Sequence, residues 1–567
     1  MKIVYHRNSP PPNRIEYTLN SDEPDQSMCK SGSKVVMIYG YPYNKRQSKW
    51  LDSEQILSML EKNGESFVHE IDGVYTIIYI SNDIVNIYTD RYGLYNAFYY
   101  EDGNSVIISD SISEITNSGV PVEYDKLGVY EYLSYGYKIG LRTTLKNINQ
   151  FDSGSIYTLD QKIKNRKYWS FNSTATLRSI SKEKIRQLFN QHILQVYDFK
   201  GRISLPLSGG LDSRMILSSL MLDNRYKNIH AYTYGIKKTN DINIARIFAQ
   251  KYKIDHTIHE LNESYIQDIP IMTDKEILSF NGLVPVPLFL HMKYSLNHEE
   301  KVADTIMWGL NGDEIWRCPL GSLAERVNDI DELTGQIFNY MKTSKNYLET
   351  YTPFKDTKVV EQLKSSIKAE LNDLVVNSNY IDAANEFGFR TFAGNWSSSF
   401  FKMSGKIMKV FPAYFNSEII PMLRHINSDE RSKGTWQKYI ISKNTPYLAS
   451  KLLSTYMPII SSVPLFIKSK MNRLYLKVIN NANKLFPKLN LGNPPRHNYT
   501  DWLPEYHYEY LKKVLEYDNM VTKDLFDREE LEIMFEKYCN GDRELVQFFG
   551  SLISLELFLK QIAPKIL

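Results

Sequence analysis

Leu205-Pro206-Leu207-Ser208-Gly209-Gly210-Leu211-Asp212-Ser213-Arg214 is the stretch on which the reading of this 567-residue chain turns. An apolar run from Ile203 to Leu207 stops at Ser208. Two glycines follow, and Met215, Ile216, Leu217 and Leu220 then recur at helical spacing, so the segment reads as strand, tight loop, helix. Without a Cβ, Gly209 and Gly210 let backbone N–H groups turn toward one point. Ser208 and Ser213 add hydroxyls, and the helix start adds the positive end of its dipole. These parts make an anion cradle suited to phosphate. It is not the common P-loop, because no G-x-x-x-x-G-K-[ST] is present. Asp212 inside such a cradle would repel a phosphate unless a cation lay between them, which points to Mg²⁺.

A second loop has related parts. Thr305-Ile306-Met307-Trp308-Gly309-Leu310-Asn311-Gly312-Asp313-Glu314 is an apolar strand ending in a glycine-bracketed turn with two acids. Such acids also suit the first turn of any helix. Between the loops lie a buried-strand pattern, Ile229 to Gly235, and a helix opening at Asn240-Asp241. The βαβ alternation implies a parallel sheet with helices on its faces.

Ser-Gly-Gly-x-Asp-Ser after a strand resembles the pyrophosphate-binding loop of the ATP-pyrophosphatase superfamily. The rest of the chain resembles the asparagine synthetase family within it. Gly73 to Ile80 resembles the family's Gly-x-Phe-Ala strand, and Thr89-Asp90-Arg91-Tyr92-Gly93 its Arg-Asp-x-x-Gly. Val106 to Asp110 resembles its strand ending in Ser-Glu, Phe151-Asp152-Ser153-Gly154 its Leu-x-Pro-Gly, and Tyr168-Trp169 its terminal Tyr-Trp. The second loop resembles its Ser-Gly-Glu-Gly-x-Asp-Glu. The resemblance spans roughly residues 35 to 450.

It implies an N-terminal Ntn-hydrolase-like antiparallel β-sandwich and a C-terminal parallel-sheet ATP-pyrophosphatase domain with a helical extension. It also implies ATP and Mg²⁺, with Asp212 and Asp313 sharing the metal. Leu207, Ser208, Gly209, Gly210, Asp212, Ser213, Thr233, Gly309 and Gly312 would surround the nucleotide, with adenine against the strand that carries Thr233. Asp241 falls where the family has Glu, and reads equally as a helix-start acid. Val410 to Asn416 resembles an apolar-Pro-Phe-x-Asp segment beside the substrate, with Asn416 in place of Asp. Gly434 to Tyr439 resembles a Lys-x-x-Leu helix whose lysine neutralises leaving pyrophosphate. Lys438 is the candidate there, against the reading of one solvated lysine among many; Lys451 is a weaker one.

The chain also departs from the pattern. Glutamine-using members need a cysteine as first mature residue, with its own α-amine as base. This chain begins Met1-Lys2-Ile3-Val4, and its only early cysteine is Cys29 in a polar segment. Glutaminase chemistry is therefore expected to be absent, as in β-lactam synthetases and lasso-peptide cyclases. Leu310 stands where asparagine synthetases carry Glu and β-lactam synthetases Tyr, and a leucine transfers no proton. Arg214 stands where a small Ser or Thr is usual. It is taken as a catalytic cation on the phosphates, with pairing to a sheet acid as the other reading.

The expected activity is an AMP-forming carboxylate–amine ligase without glutaminase. The alternatives are an ammonia-using amidotransferase and a non-catalytic nucleotide-binding homologue. The substrate would be a small molecule or peptide bearing carboxylate and amine, a precursor peptide included; a homodimer is compatible.

The net charge of +3 does not demand nucleic acid. Three cysteines form no metal spacing or disulfide framework and suit a reducing cytoplasm. Residues 1–15 are polar and include Pro10-Pro11-Pro12, so no signal peptide is read. Tyr447 to Ile467 is interrupted by Lys451, Pro458 and Pro464, and is read as buried or amphipathic rather than spanning. Lys468, Lys470 and Arg473 read as a solvated helix face. The expected organisation is an irregular arm over 1–34, a glutaminase-like domain over 35–175, a synthetase domain over 180–455, and a linker with terminal helices over 456–567.

Overall fold

The computed structural model describes residues 1–9, 14–20, 22–160, 162–171, 180–236, 239–342, 347–376, 378–460, 463–485 and 502–562. Two antiparallel sheets form the N-terminal part. One runs Ile148–Gln150, Phe98–Glu101, Ser105–Ser109, Lys2–His6, Ile15–Thr18. The other runs Ile163–Lys167, Ser155–Leu159, Ile84–Thr89, Ile71–Ser81, Lys34–Asn44, Gln26–Ser31, with Lys49–Trp50 paired to Lys34–Asn44. The period-two runs of the sequence thus stand as strands. Their core is rich in tyrosine, and three of the buried hydroxyls find acceptors in charged or carbonyl groups: Tyr92 donates to Asp72, Tyr95 to Asp25, and Tyr41 to the Gly405 carbonyl of the C-terminal part.

The irregular arm expected over 1–34 is a correction. Lys2–His6 is an interior strand, with Ile3 and Tyr5 fully buried between flanking half-exposed residues, and Gln26–Ser31 edges the second sheet. Alternation over five residues is too short a signal to outweigh the polar composition around it. Pro10 to Pro12 lie outside the described residues.

The Asp90-Arg91-x-x-Gly93 and Gly154 to Trp169 patterns have a shared structural meaning. The Asp90 carboxylate accepts the N–H groups of Tyr75, Tyr92, Leu94 and Tyr95, while Arg91 donates to the Val68 and Ile71 carbonyls. Gly154 donates to the Asp90 carbonyl and accepts from Tyr168 and Trp169. Its φ is +57°, and an added Cβ would lie 2.4 Å from the Trp169 carbonyl oxygen, so only glycine fits.

The C-terminal part is built on a parallel sheet in the order Asp255–Glu260, Ile229–Gly235, Ile203–Pro206, Thr305–Met307, Lys409–Phe411. The strand order reverses between Ile203–Pro206 and Thr305–Met307. Crevices for ligands open at the carboxyl ends of strands at such a reversal, and the two glycine loops follow these two strands. Helix Lys182–Leu194 opens this part, capped as expected by Ser181, whose side chain accepts from the Lys184 N–H.

Among the described residues after 456, helices replace the linker that the sequence suggested. Val463–Leu485 is a helix, which corrects the excursion expected over 465–500; Asn493 to Pro495 lie outside the described residues. Val546–Ile562 packs on helix Lys126–Tyr135 of the N-terminal part and on Ile277–Leu288. By length and composition Arg543–Ile562 could cross a membrane, but 78% of its apolar window is buried inside the molecule. It is a core helix closing the seam between the two parts.

Beneath the parallel sheet, fully buried Glu299 accepts from His230 Nδ1 at 2.8 Å, His259 Nε2 at 2.6 Å and the Ser204 hydroxyl at 2.5 Å. Burial works to raise this carboxyl, and the three donors outweigh it, bringing it down to about 2. A carboxyl held below its unfolded value stabilises the fold above the unfolded pKa, and that contribution fades as pH falls toward the folded one. Between about pH 4.5 and 2 the wild-type protein therefore loses stability. Glu299→Gln is expected to lose less over that window while being less stable at pH 7, as acid titrations of both proteins followed by circular dichroism would read.

Candidate active site

The first loop is held mostly by itself. Ser208 N–H donates to Ser213 Oγ at 3.1 Å, the two hydroxyls lie 3.0 Å apart, and Gly210 N–H donates to Ser208 Oγ at 3.1 Å. Gly209 N–H donates to the Asp241 carboxylate at 2.9 Å. Asp241 thus serves both readings: it sits in the first turn of helix Asn240–Tyr252 and also touches the cradle. Leu207 is buried, and the Thr233 hydroxyl donates to its carbonyl at 2.6 Å, which ties the loop to the neighbouring strand. Helix Leu211–Leu220 starts at Gly210 with no side-chain cap.

The two loops meet. A Cβ on Gly312 would lie 2.4 Å from both Asp212 Cγ and Oδ1, and one on Gly309 would lie 3.4 Å from the Ser213 nitrogen. The Asp212 carboxylate therefore rests on the second loop, in space that only glycine leaves open. Gln437, missed in the sequence, donates to Asp212 Oδ1 at 2.7 Å and to the Gly312 carbonyl at 3.2 Å, so it bridges both loops. Tyr414, inside the segment expected beside the substrate, donates to the Asp212 carbonyl at 2.9 Å. Asn416 instead accepts from Glu418 and Ile419 N–H groups and shapes a turn.

Asp313 begins a π-helical turn, Gly312–Arg317, and pairs with Arg317 one turn on. Arg317 was also missed; its Nε is buried and unpartnered. Lys438, on helix Thr435–Asn444, is half-buried; burial and then Arg317 lower its pKa. Arg317 therefore lies near both Asp313 and Lys438 on the second loop's side. Asn311 stands just before, at φ +67°, a left-handed conformation that asparagine tolerates. It is 2% exposed, and both its amide atoms lack partners. A buried amide in that state is costly unless a ligand or water completes it. Leu310 beside it packs partly into the core.

Arg214 is a correction. Its side chain is fully buried, with its terminal nitrogens taken up by protein carbonyls. It donates to the carbonyls of Gly209, Leu448, Lys451 and Leu452, with its guanidinium 4.9 Å from the Phe248 ring centroid. A planar five-donor group is suited to gathering several carbonyls. Arg214 thus clamps the segment after residue 447 to the first loop, whose Gly209 carbonyl also accepts from Ser454 N–H at 3.0 Å. Lys451 Nζ lies 4.9 Å from the Tyr447 ring centroid and contributes its carbonyl, not its amine, to this clamp.

Among the described residues no three His, Cys, Asp or Glu side chains are grouped to hold a metal. Two carboxylates on adjoining loops nevertheless fit Mg²⁺, which commonly takes one or two carboxylates and completes its shell with phosphate oxygens and water. In the N-terminal part, Cys29 is mid-strand, paired with Val36, and burial raises its thiol pKa. That is the opposite of what a nucleophilic thiolate requires.

Because Arg214 satisfies buried carbonyls, Arg214→Lys is expected to cost about 3 kcal/mol of stability, read as a lower urea midpoint. A residue acting only on phosphates would leave that midpoint in place.

Comparison with known proteins finds two family models along the chain. Residues 40–169 match a glutamine amidotransferase domain and residues 184–328 match asparagine synthase. No curated protein matches the sequence. Among solved structures, glutamine phosphoribosylpyrophosphate amidotransferase from B. subtilis, complexed with ADP and GMP, aligns over 40% of this chain and 46% of its own at 10% identity, with a TM-score of 0.18. A structure titled as the allosteric regulatory enzyme of purine biosynthesis aligns over 42% and 62% at 8% identity, also at 0.18. The chain spans less than two thirds of either, and neither likeness bears on its chemistry. The two matched domains, in this order, are consistent with an asparagine synthetase-like family.

Proposed function

We propose that the protein is an ATP-dependent ligase that joins a carboxylate to an amine and releases AMP and pyrophosphate. The observation that carries this reading is the contact of Asp212 with Gly312, which joins the two acid-bearing loops at the strand-order reversal. A carboxylate at neutral pH is a poor electrophile. In the proposed reaction its oxygen bonds to the α-phosphorus of ATP, and the bond from that phosphorus to the bridging oxygen of pyrophosphate breaks. The amine then bonds to the acyl carbon and AMP departs.

Asp212 and Asp313 would hold Mg²⁺, which when bound offsets charge on the triphosphate. The Ser208–Ser213 loop and the uncapped helix behind it receive the pyrophosphate end, with Lys438 and Arg317 as nearby cations. Arg317 exchanges Asp313 for phosphate oxygens in this scheme. Asn311 supplies a fixed amide donor and acceptor to the reacting groups. The site's contribution is positioning and electrostatic preorganisation.

The acceptor is proposed to be an amine of a small molecule or peptide rather than ammonia released from glutamine. Leu310 offers an apolar surface where proton transfer is otherwise expected, and Cys29 lacks the setting of a nucleophile.

One observation favours a second reading, a nucleotide-binding homologue without turnover: Gly209 N–H already has Asp241 as acceptor and Asp313 already has Arg317. Incubation with labelled ATP and pooled acids and amines separates the two, since AMP forms only under the first. Under it, Asp212→Ala is expected to lower substrate-dependent pyrophosphate release by about 100-fold or more while leaving the fold intact. Release at the wild-type rate would overturn the metal assignment. Gly312→Ala is expected to do the same, because its methyl displaces the Asp212 carboxylate, and Gln437→Ala is expected to fall between the two and wild type.

A further inference from the structure

Helix Val463–Leu485 carries a feature that amide formation does not use. Val463, Ile467, Met471, Leu474 and Val478 recur at the spacing of one helix face, with Phe466 at its side. All are exposed, Val463 at 72%, Met471 at 65% and Leu474 at 64%. The opposite face, through Leu465, Ser469 and Asn472, is the one turned toward the protein, with Ser469 buried. The helix is thus laid on the molecule with its apolar stripe outward. Leaving so many large apolar side chains in water on one face is the mark of an interaction surface.

Charge indicates what covers it. Lys470, Arg473 and Lys477 line one edge of the stripe and Lys468 the other, all exposed, and the helix contains no Asp or Glu. A second copy of the chain is disfavoured, since two such faces brought together would oppose cation to cation with no acid on either helix. The surface is also a convex ridge, not a groove that would receive a partner's helix. Apolar side chains along a ridge, flanked on both edges by long basic side chains that can lift their charges while their stems stay down, suit an interface of lipid tails under anionic headgroups.

We propose that this helix docks the protein, in the plane of the interface, on a membrane surface containing anionic lipid. The inference is independent of the ligase reading. Lys468, Lys470 and Arg473 stand on an exposed helix face, as the sequence suggested, and the proposal gives that face a ligand.

The test is flotation of the full-length protein with vesicles of phosphatidylcholine alone and of phosphatidylcholine mixed with phosphatidylglycerol. Binding to the mixed vesicles is expected, weakened by added salt and much lower on neutral ones. Leu474→Glu is expected to abolish it, and Lys470→Glu with Lys477→Glu to lower it by about tenfold or more. These side chains are exposed, so far-ultraviolet circular dichroism and the thermal midpoint serve as folding controls expected to stay unchanged. Absence of binding, equal binding to both vesicle types, or binding unchanged by these substitutions overturns the proposal. So does a dimer in light scattering that Leu474→Glu dissociates, because the face would then belong to a second copy.

Discussion

Two parallel strands lie side by side although about a hundred residues separate them, and the turns that leave them must pass close enough for the Asp212 carboxylate to rest against the backbone of Gly312. Everything proposed for the site follows from that approach. A Cβ at residue 312 would hold the loops apart. Gln437 could not then reach both at once, and Tyr414 would lose the geometry from which it supports the Asp212 carbonyl. The sheet supplies adjacency, and glycine supplies the last few ångströms. A carboxylate placed in this way is already oriented, so little reorganisation remains when a ligand arrives.

The same loop is fastened from behind. Arg214 stands in the helix that the first loop opens, and its four carbonyl partners lie on that loop and on the chain after residue 447. A residue that looks catalytic by position is thereby a tie between distant segments. The consequence for function is indirect: the cradle's shape depends on residues more than two hundred positions away. Asp241 contributes similarly, because its carboxylate, at a helix start, accepts the Gly209 N–H and fixes that part of the loop.

Much of this was legible in the sequence where local pattern and chemistry coincide. The strand, glycine turn and helix around Ser208 were readable because apolar periodicity changes from strand to helix across two glycines. The Ser181 cap and the strands from Val35 to Ser109 were readable for the same reason. Arg317 and Gln437 were not, since a lone arginine or glutamine carries no periodic signal and acquires its role only when the fold sets it beside Asp313 or Asp212. Arg214 was misread because sequence gives position along a loop but not the direction in which a side chain leaves it. The strand at Lys2–His6 was missed because its partners, Ser105–Ser109 and Ile15–Thr18, are what turn five alternating residues into structure. The helix at Val463 was obscured by Pro458 before it and by Pro464 in its own first turn, a position that helices tolerate.

Asn311 shows how far such reasoning extends toward specificity. Its backbone occupies a conformation in which glycine would be strain-free, yet a side chain with a donor and an acceptor is placed there, buried, with neither satisfied within the protein. The adjacent Leu310 removes a polar group from where chemistry is expected. Exchanging a proton-transferring side chain at one residue for a fixed amide at the next does not amount to simple loss of a site. Under the proposed function it would replace proton transfer with orientation, which suits an acceptor amine whose proton is taken by solvent, substrate or phosphate. The amine would then be selected by its hydrogen-bonding shape against Asn311 and by its apolar body against Leu310. A site so built discriminates most strongly against acceptors that leave the buried amide unpaired, because the cost of that unpaired group enters the difference in affinity in full.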